Sequence, residues 1–184
     1  MENEMLKSSA FTRISFNHDL MLSHHMAQRI HKRFFDTVDH ALFVSTKVLR
    51  AQKRDDEARQ IEDAARALCD KVETGIKAAT ERIDKRLLDA GVPSIQGHSD
   101  KSIAIKAEFS TGVSLRILDL LSRLDNLFLK IEALEAFNAC SPTESSQLLR
   151  FWSSEFRHFL TALLVVRHKL PTPSKVETDH GNHD

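Results

Sequence analysis

Between Ser102 and Phe109 apolar and polar positions alternate. Ile103, Ile105, Ala107 and Phe109 fall on one face of an extended segment, and Ser102, Ala104, Lys106 and Glu108 on the other. Thr111 and Gly112 end this strand. From Val113 to Asn138 the period becomes helical, with Ile117, Leu121, Leu124, Phe128, Ile131 and Leu134 at steps of three and four. Leu118, Leu120 and Leu127 add a second apolar face, which predicts a helix at the centre of the molecule. Ser141, Pro142 and Glu144 open the next helix. Ser at the N-cap accepts from a free backbone N–H, Pro suits the first helical position, and Glu three residues on completes a capping box. Leu148, Leu149, Trp152, Phe156, Phe159, Leu160 and Leu163 give that helix an apolar face, which assigns Trp152 to the core.

Upstream, Ile61, Ala65, Leu68, Val72, Ile76, Ala79, Ile83 and Leu87 form a narrow stripe over a helix from Asp55 to Ala90. The stripe resembles the seam of a helical hairpin or coiled coil, so scaffold and oligomer contacts are expected of it. Gly91, Pro93 and Gly97 stop it and lead into a flexible loop. Near the N-terminus, Phe11 to Asn17 alternates again, with Thr12, Ile14 and Phe16 opposite Arg13, Ser15 and Asn17. Asn17 or Asp19 then caps a helix through Leu20, Met21, His24, Met26, Ala27 and Ile30. Asp36 or Asp39 caps a further one, striped by Val38, Ala41, Leu42, Val44, Ser45 and Val48. Strand, helix, helix in roughly forty residues is the span of a ribbon-helix-helix unit. The expected fold class is therefore mainly α, a long-helix bundle with a short β-ribbon, ribbon-helix-helix-like. One domain covers 11–170: ribbon and basic helices over 11–54, the long amphipathic helix over 55–90, and a strand-helix-helix core over 101–170. A flexible leader, 1–10, and a disordered tail, 171–184, flank it.

The 184 residues hold 26 basic and 26 acidic side chains, for a formal charge of zero, which argues against indiscriminate coating of nucleic acid. The charge is unevenly placed. Residues 1–54 are basic and 55–100 acidic, leaving room for a localised anion-binding face. A two-stranded ribbon can enter the DNA major groove, where Arg13, Ser15 and Asn17 have the donors and acceptors to read guanine and adenine edges. An ordinary edge strand with a wet face has the same composition. His25, Arg29, Lys32 and Arg33 lie within two turns at helical spacing, close enough to grip phosphates. Arg50, Lys53 and Arg54 are accounted for more simply by the dipole of a helix end. Lys106, with Ala104, is the rival reader if the ribbon is built from the second strand, and both choices stay open.

Little else suggests chemistry. Cys69 and Cys140 read as small hydrophobic groups in a reducing compartment. The clusters HDLMLSHH and HGNHD bring His and Asp together without the spacing of known zinc motifs, so no metal and no cofactor is expected. No phosphate loop, nucleotide fingerprint or nucleophile elbow is present, and the chain is expected not to be an enzyme. No apolar run approaches the length of a membrane span and no signal-peptide core precedes the domain, which makes the cytoplasm the expected location.

The segments KAEFSTGVSLRILDLLSRLDNLF and SPTESSQLLRFWSSEFRHFL resemble a known family, the AcaB-like regulators of conjugative plasmids and integrating conjugative elements. The shared features are a strand ending in Phe-Ser-Thr, a helix carrying a Leu-Asp pair, and a capped last helix. A weaker likeness lies in ISFNHDLMLSHHMAQRIHKR, around its Ala-Gln-Arg. The resemblance implies a DNA-binding transcriptional regulator related to ribbon-helix-helix proteins, acting on promoters of conjugative-transfer genes and more as activator than repressor. Double-stranded DNA, a second copy in a homodimer, and RNA polymerase are the implied partners. The alternative from the residues alone is a non-catalytic helical adaptor that binds other proteins through its long hairpin.

Overall fold

The computed structural model describes residues 14–92 and 101–166. The expected leader and tail, Arg13 and most of the loop after Gly91 lie outside them. The order is β1 (Phe16–Leu22), α1 (His25–Phe43), a π-helical turn (Val44–Val48), α2 (Leu49–Ala51), α3 (Asp55–Asp89), β2 (Ile103–Phe109), α4 (Gly112–Ala136) and α5 (Pro142–Val165). Mainly helical architecture with one short ribbon is what the patterning predicts. Among the described residues no helix is long and apolar enough to cross a membrane.

α4 is the axis of the core. Ile117, Leu118, Leu120, Leu121, Leu124, Leu127, Phe128, Ile131 and Leu134 are almost fully buried around its circumference. Burying each such side chain stabilises by about 1.5 to 3 kcal/mol, so this helix dominates the packing energy. α1, α3, α5 and β1 all pack on it. Thr111 caps it, its hydroxyl accepting the N–H of Ser114 at 3.1 Å. Asn138, at φ 56°, turns the chain out of it in the left-handed conformation that Asn tolerates.

The seam of α3 is spent inside the chain. Ala65, Ile76, Ala79, Ile83 and Leu87 join the same core as α4, with Leu68 and Val72 half-buried beside them. The seam therefore offers no face for the oligomer contacts expected of it. The two helices run in the same direction: Arg116 meets Asp70 and Glu73 near one end, and Lys130 meets Asp84 further along. A crossover through β2 makes this parallel packing possible, so α3 and α4 are neighbours without forming a hairpin.

Two expectations in the N-terminal part are corrected. The first strand spans Phe16–Leu22, not 11–17, and Leu20 and Met21 belong to it, not to a helix. The phase of the alternation was right and its extent wrong. His18, Leu20 and Leu22 continue the inward row of Phe16, because β2 supplies a ladder over all seven residues. Inter-strand hydrogen bonds outweigh the local capping offered by Asn17 and Asp19. The helix starts after His24 instead, whose ring Nδ1 accepts the N–H of Met26 at 3.2 Å.

The second correction is the missing break at Asp36. α1 runs unbroken to Phe43 and passes through the π-helical turn, where Thr46 donates its hydroxyl to the Leu42 carbonyl at 2.8 Å. Asp39 is buried and caps no helix. Its carboxylate accepts the backbone N–H and the hydroxyl of Ser110 at 2.9 and 3.1 Å, tying α1 to the end of β2. The expected strand, helix, helix order over 11–54 thus becomes a strand and one long helix.

Candidate nucleic-acid interface

β1 and β2 pair antiparallel within one chain, with Phe16 opposite Phe109, Asp19 opposite Lys106, and Leu22 opposite Ile103. The ribbon thus contains both strands that sequence left as rivals. Its inward row rests Leu20, Leu22 and Ala107 on the helices. Its outward row is exposed and consists of Asn17, Asp19 and Met21 from β1 and Ala104, Lys106 and Glu108 from β2. Asn17 and Lys106 are therefore brought onto one face, in company with two carboxylates. Ser15 is exposed just before the strand, and Arg13 lies outside the described residues.

Residues that carry the family resemblance fasten both ends of this ribbon. Asp125, of the Leu-Asp pair on α4, accepts the backbone N–H groups of Ser23 and His24 at 2.9 and 2.8 Å. Gln28, of Ala-Gln-Arg, donates its amide to the carbonyls of Leu22 and Lys101, both at 3.0 Å, joining the end of β1 to the approach of β2. Ser110, after Phe109, is held by Asp39. These are positioning contacts. Asp125 and Asp39 satisfy buried backbone N–H groups, and the contacts together fix one end of the ribbon at the start of α1 and the other at its last turns.

Ala27 is buried beneath that junction and Arg29 points outward from it. His25, Arg29, Lys32 and Arg33 are all exposed on α1, as their spacing predicts. Arg29 stands on a ridge between two clefts. One, of about 550 Å³, is lined by His25, Gln28, Lys32, Asp36 and the β2 residues Ile103 and Ile105. The other, of about 150 Å³, lies against α5 and is lined by Arg33, Phe34, Ser153 and Arg157 among others. Sequence reading missed Arg157. It sits on a helix assigned wholly to the core, and only the packing of α5 beside α1 brings it near Arg33.

Among the described residues, half of the arginines are held in ion pairs and half are not. Arg50, Arg54, Arg66, Arg86, Arg116 and Arg123 all end on carboxylates. Arg50 of α2 and Arg54 just beyond it are accordingly neutralised by Glu62 and Glu57 of α3. Among the described residues, no carboxylate lies within ion-pair distance of Arg29, Lys32, Arg33 or Arg157. Beside them, burial lowers the pKa of His31, which stacks on Phe35. Burial also lowers that of His24, against the raising influence of Glu132, whose carboxylate accepts from its Nε2 at 3.0 Å.

Catalytic or metal-binding geometry is a different matter. His18 and Asp19 point to opposite faces of β1, and His24 is occupied by Glu132 and Met26. Among the described residues no three His, Cys, Asp or Glu side chains converge to hold a metal ion. Cys69 is buried in the α3–α4 interface, which pushes its thiol up to about 11.

No family model and no curated protein matches the chain. Among solved structures, the crystal structure of AcaB from uropathogenic E. coli superposes with a TM-score of 0.77 at 20% identity, over 85% of this chain and 81% of that one. The chain thus has the AcaB fold, and the AcaB-like resemblance carried by its motifs holds in three dimensions.

Proposed function

We propose that the protein binds double-stranded DNA as a transcriptional regulator, with the exposed side of α1 gripping phosphates and the outward row of the ribbon facing base edges. The observation that carries this reading is the row His25, Arg29, Lys32 and Arg33. Among the described residues its two arginines and its lysine have no carboxylate within ion-pair distance, and all four side chains stand exposed together on α1 beside the ribbon. Unpaired cations on a helix held against an exposed ribbon suit a polyanion whose grooves admit a ribbon. Asn17 has the paired donor and acceptor that adenine offers in return, Lys106 suits guanine, and Asp19 or Glu108 can accept from cytosine. The resemblance to AcaB-like regulators adds the genes: promoters of conjugative transfer, activated by a homodimer that contacts RNA polymerase.

The adaptor reading has lost its main support, because the α3 seam that favoured it is buried against α4. The two are separated by measuring binding to labelled DNA from upstream of genes in the protein's own element. Two salt concentrations are used, with excess unrelated DNA present. The regulator binds tightly, selectively and with steep salt dependence. Arg29→Ala weakens binding to every sequence, lowering the salt slope by about 1, while Asn17→Ala and Lys106→Ala relax sequence preference. No binding even at low salt would overturn the proposal.

A further inference from the structure

We infer that Arg157 of α5 completes, with Arg29 and Arg33 of α1, a three-arginine seat for one phosphate of the DNA backbone. This rests on the DNA reading for the carrier of the phosphate, and on the geometry alone for the seat. The three guanidinium-bearing side chains line a single cavity of about 150 Å³, whose remaining walls are Met26, Ile30, Phe34 and Ser153. Among the described residues no carboxylate lines it. Arg157 is held in place by its Nε, which donates to the Ser153 carbonyl at 3.1 Å, leaving its terminal nitrogens to bond elsewhere. Guanidinium groups repel one another when gathered, and an anion that accepts from several at once relieves the repulsion. The apolar walls lower the local dielectric and strengthen that attraction relative to open water. A tetrahedral phosphate presents acceptors to several arginines together, which carboxylates on flexible side chains do less well.

Arg29 also borders the cleft that holds Lys32 and His25 beside the ribbon. A strand seated between α1 and α5 would therefore continue across Arg29 to Lys32 and reach the ribbon. The surface meeting DNA becomes a path from α5 over α1, not α1 alone.

Two measurements test this on the full-length protein. The first is binding of an unrelated DNA duplex over a salt series, for wild type, Arg157→Ala, Arg157→Lys and Arg82→Ala. Arg82 is an exposed arginine of α3 outside the cavity and, among the described residues, without a carboxylate partner, so it controls for lost charge. Arg157→Ala is expected to weaken binding several-fold and to reduce the slope of log affinity against log salt by about 1. Arg157→Lys should recover part of the loss, and Arg82→Ala should leave the slope unchanged. Thermal melting shows that each variant is folded. The second is titration with inorganic phosphate, followed through the arginine Nε–H resonances. Those of Arg29, Arg33 and Arg157 should shift together and saturate in wild type, and saturation should be lost in Arg157→Ala. If Arg157→Ala matches Arg82→Ala in both measurements, the seat is overturned while the DNA reading stands. Saturation by phosphate without duplex binding keeps the seat and overturns the DNA reading. Absence of both overturns both.

Discussion

Asp125 of α4 accepts the backbone N–H of His24 at 2.8 Å, across 101 residues of chain, and holds the neighbouring N–H of Ser23 as well. The corner between β1 and α1 is thereby fastened to the central helix. Burial raises the pKa of this carboxyl, and the two backbone hydrogen bonds oppose the rise. Asp125→Ala should leave two buried N–H groups unpaired and cost about 2 to 3 kcal/mol, read as a lower denaturant midpoint. A midpoint unchanged from wild type would show that the corner is held by packing alone.

His24 makes stability depend on pH. Its Nδ1 accepts the Met26 N–H and its Nε2 faces Glu132, so the neutral ring suits the site, with His25 stacked against it and Asp125 nearby. With the folded-state pKa lowered, mainly by burial, the unfolded chain takes up protons first. Stability is complete above the ordinary histidine value of about 6.5. It is lost as pH falls below that value toward the folded-state pKa. His31, lowered by burial too, acts in the same direction. Melting temperatures should fall between pH 8 and pH 5.5, and His24→Asn, which keeps a capping oxygen but cannot titrate, should show a shallower fall.

Gly75 lies under Trp152. A methyl group added there would meet the indole at 3.4 Å, ordinary contact at its close end. Glycine inside a helix costs up to about 1 kcal/mol relative to alanine, so Gly75→Ala should raise stability by up to that amount. Gly75→Leu should lower it by displacing Trp152. Chemical denaturation of the two variants decides the signs.

Ser141 caps α5 as its sequence implies, accepting the N–H of Glu144 at 3.2 Å. The Glu144 carboxylate turns instead to Arg86, at 2.6 Å. Ser141→Ala should cost about 1 kcal/mol. Glu144→Gln should cost less than Ser141→Ala, because both partners of its ion pair are well exposed. Equal losses from the two would indicate a reciprocal capping box after all.

Alkylation checks the buried thiol. Cys69, with its pKa raised to about 11 by burial, should not react at pH 8 until denaturant is added. Cys140, only partly buried, should react first.

The sequence by itself determined α3, α4 and α5 to within a few residues. Their apolar stripes repeat over many turns, and caps such as Ser141 and stops such as Gly91 act locally. It also determined the phase of both strands and the basic face of α1, since periodicity places side chains on faces without reference to the rest of the chain. Tertiary structure alone decided where β1 ends and α1 begins, because the pairing partner of Leu20 is Ile105 and no local signal announces it. It decided that Asp39 serves Ser110 and caps no helix, and that the α3 seam is filled by α4 and not by a second chain. It also brought Arg157 beside Arg29 and Arg33. That cluster joins side chains more than a hundred residues apart, and only the packing of α5 against α1 brings them together.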